Sequence, residues 1–137
     1  MPQKIFVTMP VTDLARSVAF YEALGGTSNP KLNDGTSAGV EFSEAISVML
    51  HTREKWAQFT AKPIADARAG LSIAHILSAN NRGDVDRIIA AAGAAGGTPD
   101  ANPPEDFGFM YSRSVEDPDG HHWDLTWADM NQMPAGE

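Results

Sequence analysis

Apolar residues recur along this chain in two rhythms, one helical and one of period two. Ile5–Val11 is a short apolar run, and Thr12 or Asp13 is placed to cap a helix directly after it. Leu14, Val18, Tyr21 and Leu24 share one face of that helix, and Gly25-Gly26 stops it. Asn29–Gly35 is polar and carries an Asn-Asp-Gly turn signal. Ala38–Phe42 and Ala45–Thr52 predict strands, the second with Ile46, Val48 and Leu50 opposed to Ser47, Met49 and His51. Arg53–Thr60 predicts a short helix with Trp56 and Phe59 on one side, and Ala61–Gly70 reads as a connector. Leu71–Ala79 predicts another strand, and Asn80-Asn81 caps a helix with a buried stripe of Val85, Ile88, Ile89 and Ala92. Gly96-Gly97 ends it, Thr98–Asp106 is a proline-rich loop, Phe107–Ser114 is a strand and Met130–Glu137 a loose tail.

The stretch Val115–Trp127 organises the rest. Glu116–Gly120 is turn chemistry: Pro118 fixes φ, the aspartates can bond their own backbone, and Gly120 tolerates positive φ. His121–Trp127 then alternates as a strand, with His122, Asp124 and Thr126 on one face and His121, Trp123, Leu125 and Trp127 on the other. A carboxylate between His and Thr, backed by a heavy apolar face, implies a polar face that looks into a cavity. The pattern also repeats. Moving Asp13-Leu14, Val18 and Gly25-Gly26-Thr27 along by 71 residues places them on Asp84-Val85, Ile89 and Gly96-Gly97-Thr98. Two βαβββ modules follow, each too small to bury its own face alone.

Composition narrows the function classes. The 137 residues suffice for a core without staples. A net charge of -8 argues against nucleic acid and anionic membrane, because Lys and Arg carry affinity for phosphate polymers. With no cysteine there is no disulfide, thiolate nucleophile or Cys metal site, which is compatible with a reducing cytosol. Neither a signal peptide nor a membrane-spanning run is expected, so the chain reads as a cytoplasmic protein. The glycine pairs are helix stops; neither sits in a phosphate-loop context.

An opening of the form Val11-Thr12-Asp13-Leu14…Ser17…Phe20-Tyr21, a paired βαβββ repeat and a closing Asp117-Pro118-Asp119-Gly120 resemble the vicinal-oxygen-chelate superfamily of glyoxalase I, extradiol dioxygenases and fosfomycin- and bleomycin-resistance proteins. The resemblance implies an α+β fold in which two βαβββ modules form a curved sheet enclosing a cavity, and it implies a homodimer. Metal-using members hold one divalent ion at four inward positions. Those positions fall here at Phe6, Met49, Ala74 and Asp124. A phenyl ring and a methyl donate nothing, and a thioether prefers soft ions, so Asp124 alone suits a hard or borderline cation. His75 lies beside Ala74, but a register slip that turned it inward would also turn Ile73 and Leu77 inward.

The expected cavity is lined by Phe6, Thr8, Met49, His51, Ala74, His122 and Asp124. The domain limits are module 1 over residues 1–60, a connector over 61–70, module 2 over 71–129 and a tail over 130–137. Asp124 reads either as a metal ligand or general base, or as a carboxylate bonded to neighbouring polar groups. His122 reads as an acid–base group or as a rim residue bonded to water; a metal could bridge the pair, about 6.6 Å apart at ~3.3 Å per residue. His51 is evenly balanced between cavity lining and a solvated strand end. Trp123 and Trp127 read as core aromatics, while Phe107, Phe109, Met110 and Tyr111 could line a substrate pocket. Arg113 could clamp a substrate carboxylate or pair with Glu116 or Asp117. The leading expectation is a metal-degenerate member binding a small hydrophobic or aromatic molecule, with no cofactor beyond a weakly held divalent ion. The alternatives are a metal-dependent lyase, isomerase or dioxygenase using Asp124 and His122, and a scaffold domain with a filled interior.

Overall fold

Asp13 caps the first helix by accepting the backbone N–H of Arg16 at 3.1 Å, and Asn81 caps the third by accepting that of Asp84 at 2.8 Å. These caps fix where each half of the chain turns from strand to helix. The computed structural model describes residues 3–132, so Met133–Glu137 of the expected tail lie outside the described residues. The chain divides into two units between Asp66 and Ala67.

The first unit runs β1 (Ile5–Val11), α1 (Leu14–Ala23), β2 (Thr27–Asn29), a 3-10 turn (Pro30–Leu32), β3 (Ser37–Glu41), β4 (Ile46–Thr52) and α2 (Arg53–Trp56). Its sheet has the order β1-β4-β3-β2, with β1 parallel to β4 and the other pairs antiparallel. One sheet face is packed with Met9, Val11, Val40, Val48 and Leu50, and α1 adds Phe20, Tyr21 and Leu24 to that buried set. Tyr21 Oη reaches the Met9 sulfur at 3.5 Å, which places α1 on the Met9 face. The opposite face carries Phe6, Thr8, Ser47, Met49 and His51, in register as Phe6–Ser47, Thr8–Met49 and Pro10–His51. Gly26 permits the close turn after α1, since a Cβ there would meet the Val40 side chain at 2.4 Å.

The second unit runs β5 (His75–Ser78), α3 (Arg82–Ala94), β6 (Thr98–Pro99), β7 (Glu105–Asp106), β8 (Met110–Glu116) and β9 (His122–Ala128). Its order, β5-β9-β8-β6, repeats that of the first unit, with β5 parallel to β9 and β7 added beside β8. The architecture is therefore α+β, built as two βαβββ units with one sheet each. Val115, Trp123 and Leu125 pack with Val85, Ile89 and Ala92 of α3. Trp127 lies at the edge of that layer, half-buried beneath the Arg82 guanidinium. Ile76, Ser78, Ser112, Ser114, Asp124 and Thr126 occupy the open face.

Several boundaries differ from the sequence reading. The strand expected over Leu71–Ala79 is formed only at His75–Ser78. Its partner β9 begins at His122, just after the chain has turned at Gly120, so Leu71–Ile73 have no neighbouring strand to bond. The strand expected over Phe107–Ser114 lies instead at Met110–Glu116, and Asp106-Phe107-Gly108 forms its preceding turn. The loop Thr98–Asp106 contains two short strand pairings, and Thr27–Asn29 pairs with β3 although nothing in its composition marks a strand.

Candidate functional site

The turn that precedes β9 is held by one carboxylate. Asp117, 2% exposed, accepts the backbone N–H groups of Asp119 at 2.9 Å and His121 at 2.8 Å through the same Oδ1. Gly120 completes the turn with φ of 96°, and a Cβ there would strike Arg68. With the turn fixed, β9 must enter the sheet with Trp123 and Leu125 on the helix side and His122, Asp124 and Thr126 on the open side.

Those open-side groups bond to one another. His122 donates from Nε2 to Asp124 Oδ1 at 3.1 Å, and the His122 side chain is only 7% exposed against 23% for Asp124. The two side chains are thus in direct contact. Ser112 Oγ and Thr126 Oγ1 share a hydrogen bond of 2.8 Å across the β8–β9 pair. Ser114 Oγ accepts the Asn102 N–H at 2.9 Å, which ties the loop after β6 to the sheet. A cleft of about 210 Å³ lies over these groups, lined by Asp124, Ser112, Ser114, Thr126, Ile76, Met110 and Arg113, with Asn102, Pro103 and Glu105 as its wall. A second cleft of about 280 Å³ adjoins Asn102 and has His122, Glu116 and Arg68 on its border.

The other expected site residues are placed as follows. Phe6 is 53% exposed and Thr8 is exposed, both on the open face of the first sheet, and Met49 beside Thr8 is half-buried. Ala74 immediately precedes β5 and is exposed. His75 faces the helix side, stacked on Trp123 at 4.4 Å between ring centroids, with Nδ1 at 3.1 Å from the His122 carbonyl. Arg113 is a correction. It faces the helix side opposite Leu125 and binds Asp86 at 2.9 Å and Asp100 at 2.8 Å, not Glu116 or Asp117. Tyr111 likewise turns to α3, where its hydroxyl donates to Asp86 at 2.6 Å, so of the four expected pocket residues only Met110 lines the cleft. Ile76, Ser112, Ser114 and Glu105 were not foreseen. The alternation of Ser112 and Ser114 along β8 was the available signal.

His51 is not a solvated strand end. It is 6% exposed, bonded through Nδ1 to Ser37 Oγ at 2.7 Å, and covered by the edge of Phe59 at 4.8 Å and by Trp56 at 6.4 Å. Burial, and then the Lys55 charge, push its pKa below the ordinary 6.5, against an opposing pull from Asp34. The folded chain thus binds a proton at His51 less readily than the unfolded chain. Stability is expected to be intact above about pH 6.5, to fall as pH drops toward the lowered folded value, and to fall no further below it. Urea unfolding from about pH 7 to about pH 5 is expected to show a shallower loss for His51→Gln than for the wild type. Equal slopes would show that His51 carries none of the dependence.

The donor set implied for a metal was tested on side-chain chemistry. Phe6 and Ala74 offer no donor, Met49 offers a thioether, and Asp124 already accepts from His122. Among the described residues no three His, Asp or Glu side chains come together to hold an ion. These residues do not fit the metal centre of the metal-using members. No helix of the described residues is long and apolar enough to cross a membrane.

A family model described as the glyoxalase/bleomycin resistance protein/dioxygenase superfamily matches residues 5–125. Solved structures with the same fold include a hypothetical protein of S. aureus at 23% identity, with a TM-score of 0.77 over 93% of this chain and 95% of that one. A glyoxalase-related enzyme of Fulvimarina pelagi aligns at 20% identity and a TM-score of 0.77, over 99% of this chain and 94% of its own. The fosfomycin resistance protein FosX of Mesorhizobium loti aligns at 16% identity and a TM-score of 0.67, over 96% and 97%. At these identities the likeness establishes the fold. No protein of curated function matches the chain.

Proposed function

We propose that this chain, which belongs to the glyoxalase/bleomycin resistance protein/dioxygenase superfamily, binds a small, partly apolar molecule in the cleft of its second unit, without a metal. The observation that carries the reading is the cleft itself: Ile76, Met110 and Pro103 offer apolar surface beside Asp124, Ser112, Ser114 and Thr126. A concave apolar surface with a few convergent polar groups is the usual form of a small-molecule site. The unsuitable donors at Phe6, Met49 and Ala74 support binding that does not depend on an ion.

Ser112→Phe tests the assignment, because its ring would occupy the cleft floor while the strand backbone is kept. Fragment screening by ligand-observed NMR is expected to yield binders to the wild type that Ser112→Phe abolishes and Asp124→Ala weakens by about tenfold, the loss of one hydrogen bond to a charged group. Binders untouched by both variants would place the site elsewhere.

One observation favours a second reading. With Nε2–H bound to Asp124, the His122 ring has its tautomer fixed, and Nδ1 is left able to take a proton. Turnover of any substrate that collapses on Asp124→Ala would establish an enzyme; binding without turnover would exclude it. Homodimerisation is part of the proposal, supported by exposed Ile5 and Phe6 on the edge strand β1 and exposed Ile76 on the edge strand β5. A monomer mass in sedimentation equilibrium would refute it. The absence of cysteine supports a cytoplasmic residence, which recovery of the protein in an envelope fraction would contradict.

A further inference from the structure

The chemistry of the cleft wall narrows the ligand class. The part of the chain after Asp66 contains four arginines and no lysine against eleven acidic residues. Arg113 is one of the residues lining the cleft, but the charge of each arginine is engaged by groups of the protein. Arg113 is held by Asp86 and Asp100 on the helix side, Arg82 by Asp106, Arg87 by Asp84, and Arg68 donates to the Pro118 carbonyl. The cleft keeps two carboxylates, Asp124 on its floor and Glu105 on its wall. Glu105 pairs across the strand with Ser112, and so shares the open face with Ser112, Asp124 and Thr126.

Hydrogen bonding points the same way. His122 donates to one Asp124 oxygen, and among the described residues no donor reaches Oδ2. Ser114 donates to the Asn102 carbonyl at 3.3 Å, while the single bond between Ser112 and Thr126 uses one of their two protons and leaves the other able to donate. What predominates at the cleft floor is acceptor capacity, in carboxylate and hydroxyl oxygens, beside one hydroxyl proton and the Asn102 amide on the wall. A ligand that brings donors and positive charge matches that floor. A volume of about 210 Å³ holds the equivalent of roughly seven waters, which suits a fragment-sized molecule and not a large drug.

Resting on the binding reading above, we infer that the cleft selects small organic cations, a protonated amine or amidinium carried on a compact apolar or aromatic group. The ammonium head donates to Asp124 Oδ2 and to the Ser112–Thr126 oxygens, with Glu105 adding attraction from the wall. The apolar part lies on Ile76, Met110 and Pro103. An anionic ligand of the same shape meets two carboxylates, while the charge of Arg113 is already held by Asp86 and Asp100, and is rejected by charge.

Three probes of one shape test this: benzylammonium, benzyl alcohol and benzoate, each titrated into the full chain and followed by backbone amide shifts. Benzylammonium is expected to perturb Ser112, Ser114, Asp124 and Thr126, and to bind at least about tenfold more tightly than benzyl alcohol, with no cleft response to benzoate. Asp124→Asn, which keeps the shape, is expected to remove that tenfold preference for benzylammonium over benzyl alcohol; Glu105→Gln, on the exposed strand β7, removes part of it. Added salt weakens the ammonium alone. Benzoate or benzyl alcohol binding in the cleft as tightly as benzylammonium overturns the charge inference and leaves the cleft reading intact. No cleft response to any of the three overturns both.

Discussion

Trp123→Ala is expected to lower the stability of the chain by about 3–5 kcal/mol, the range for truncating a large buried aromatic. Trp123 is 2% exposed, stacks on His75 and pairs across the sheet with Val115. Its removal opens a cavity between β9 and α3 that the surrounding β-strands cannot close, because their registers are fixed by the ladders on both sides. It also frees the His75 ring, whose Nδ1 contact with the His122 carbonyl helps hold the start of β9. At about 3 °C per kcal/mol for a chain of this size, melting is expected to fall by about 10–15 °C. Trp123→Phe, which retains most of the volume, is expected to lose less than half of that. A loss below about 1 kcal/mol for Trp123→Ala would mean that the core of the second unit is organised elsewhere.

The second large effect comes from a polar group. Asp117→Ala is expected to cost about 2–4 kcal/mol, since two backbone N–H groups, of Asp119 and His121, lose a charged acceptor in a buried turn. The consequence is local as well as global. His121 directly precedes β9, so loosening the turn loosens the placement of His122 and Asp124 over the cleft. Hydrogen exchange is expected to quicken at the Asp119 and His121 amides more than elsewhere, and ligand affinity is expected to fall although Asp117 does not line the cleft. Asp117→Asn keeps one acceptor oxygen and is expected to retain part of the stability. Unchanged exchange at both amides would show that the turn is held by Pro118 and Gly120 alone.

The closing turn and the strand after it are the part of the site most legible in the sequence. Turn residues at Asp117–Gly120 and strict alternation from His122 to Thr126 place three polar side chains on one face, and they share it in the structure. The two helices were equally legible, because Asp13, Asn81, Gly25 and Gly96 mark ends by local backbone chemistry. What could not be read depends on partners distant in the chain. β5 is short because β9 begins at His122, a fact about another strand. Arg113 has Asp86 and Asp100 as partners, brought to it by α3 and the loop after β6. Its side of the sheet was available in principle, since pairing β8 with β9 about the Asp117–Gly120 turn sets Arg113 opposite Leu125. Glu105 follows two prolines and shows no periodicity, and only its pairing with Ser112 brings it to the cleft. His51 was ambiguous for a related reason: Trp56 and Phe59 were placed together, but nothing local showed that they cover it.

The central claim is a binding site that works without a metal, in a superfamily whose metal-using members hold an ion at positions that the sequence resemblance assigns here to Phe6, Met49, Ala74 and Asp124. It is tested most directly by metal content and metal-induced thermal shift of protein purified without chelator or affinity tag, comparing wild type with Asp124→Ala. The account predicts far less than one equivalent of any divalent ion, no stabilisation by added Mg²⁺, Mn²⁺ or Zn²⁺, and no difference between the two proteins in either measure. Near-stoichiometric metal in the wild type, lost in Asp124→Ala, would contradict it.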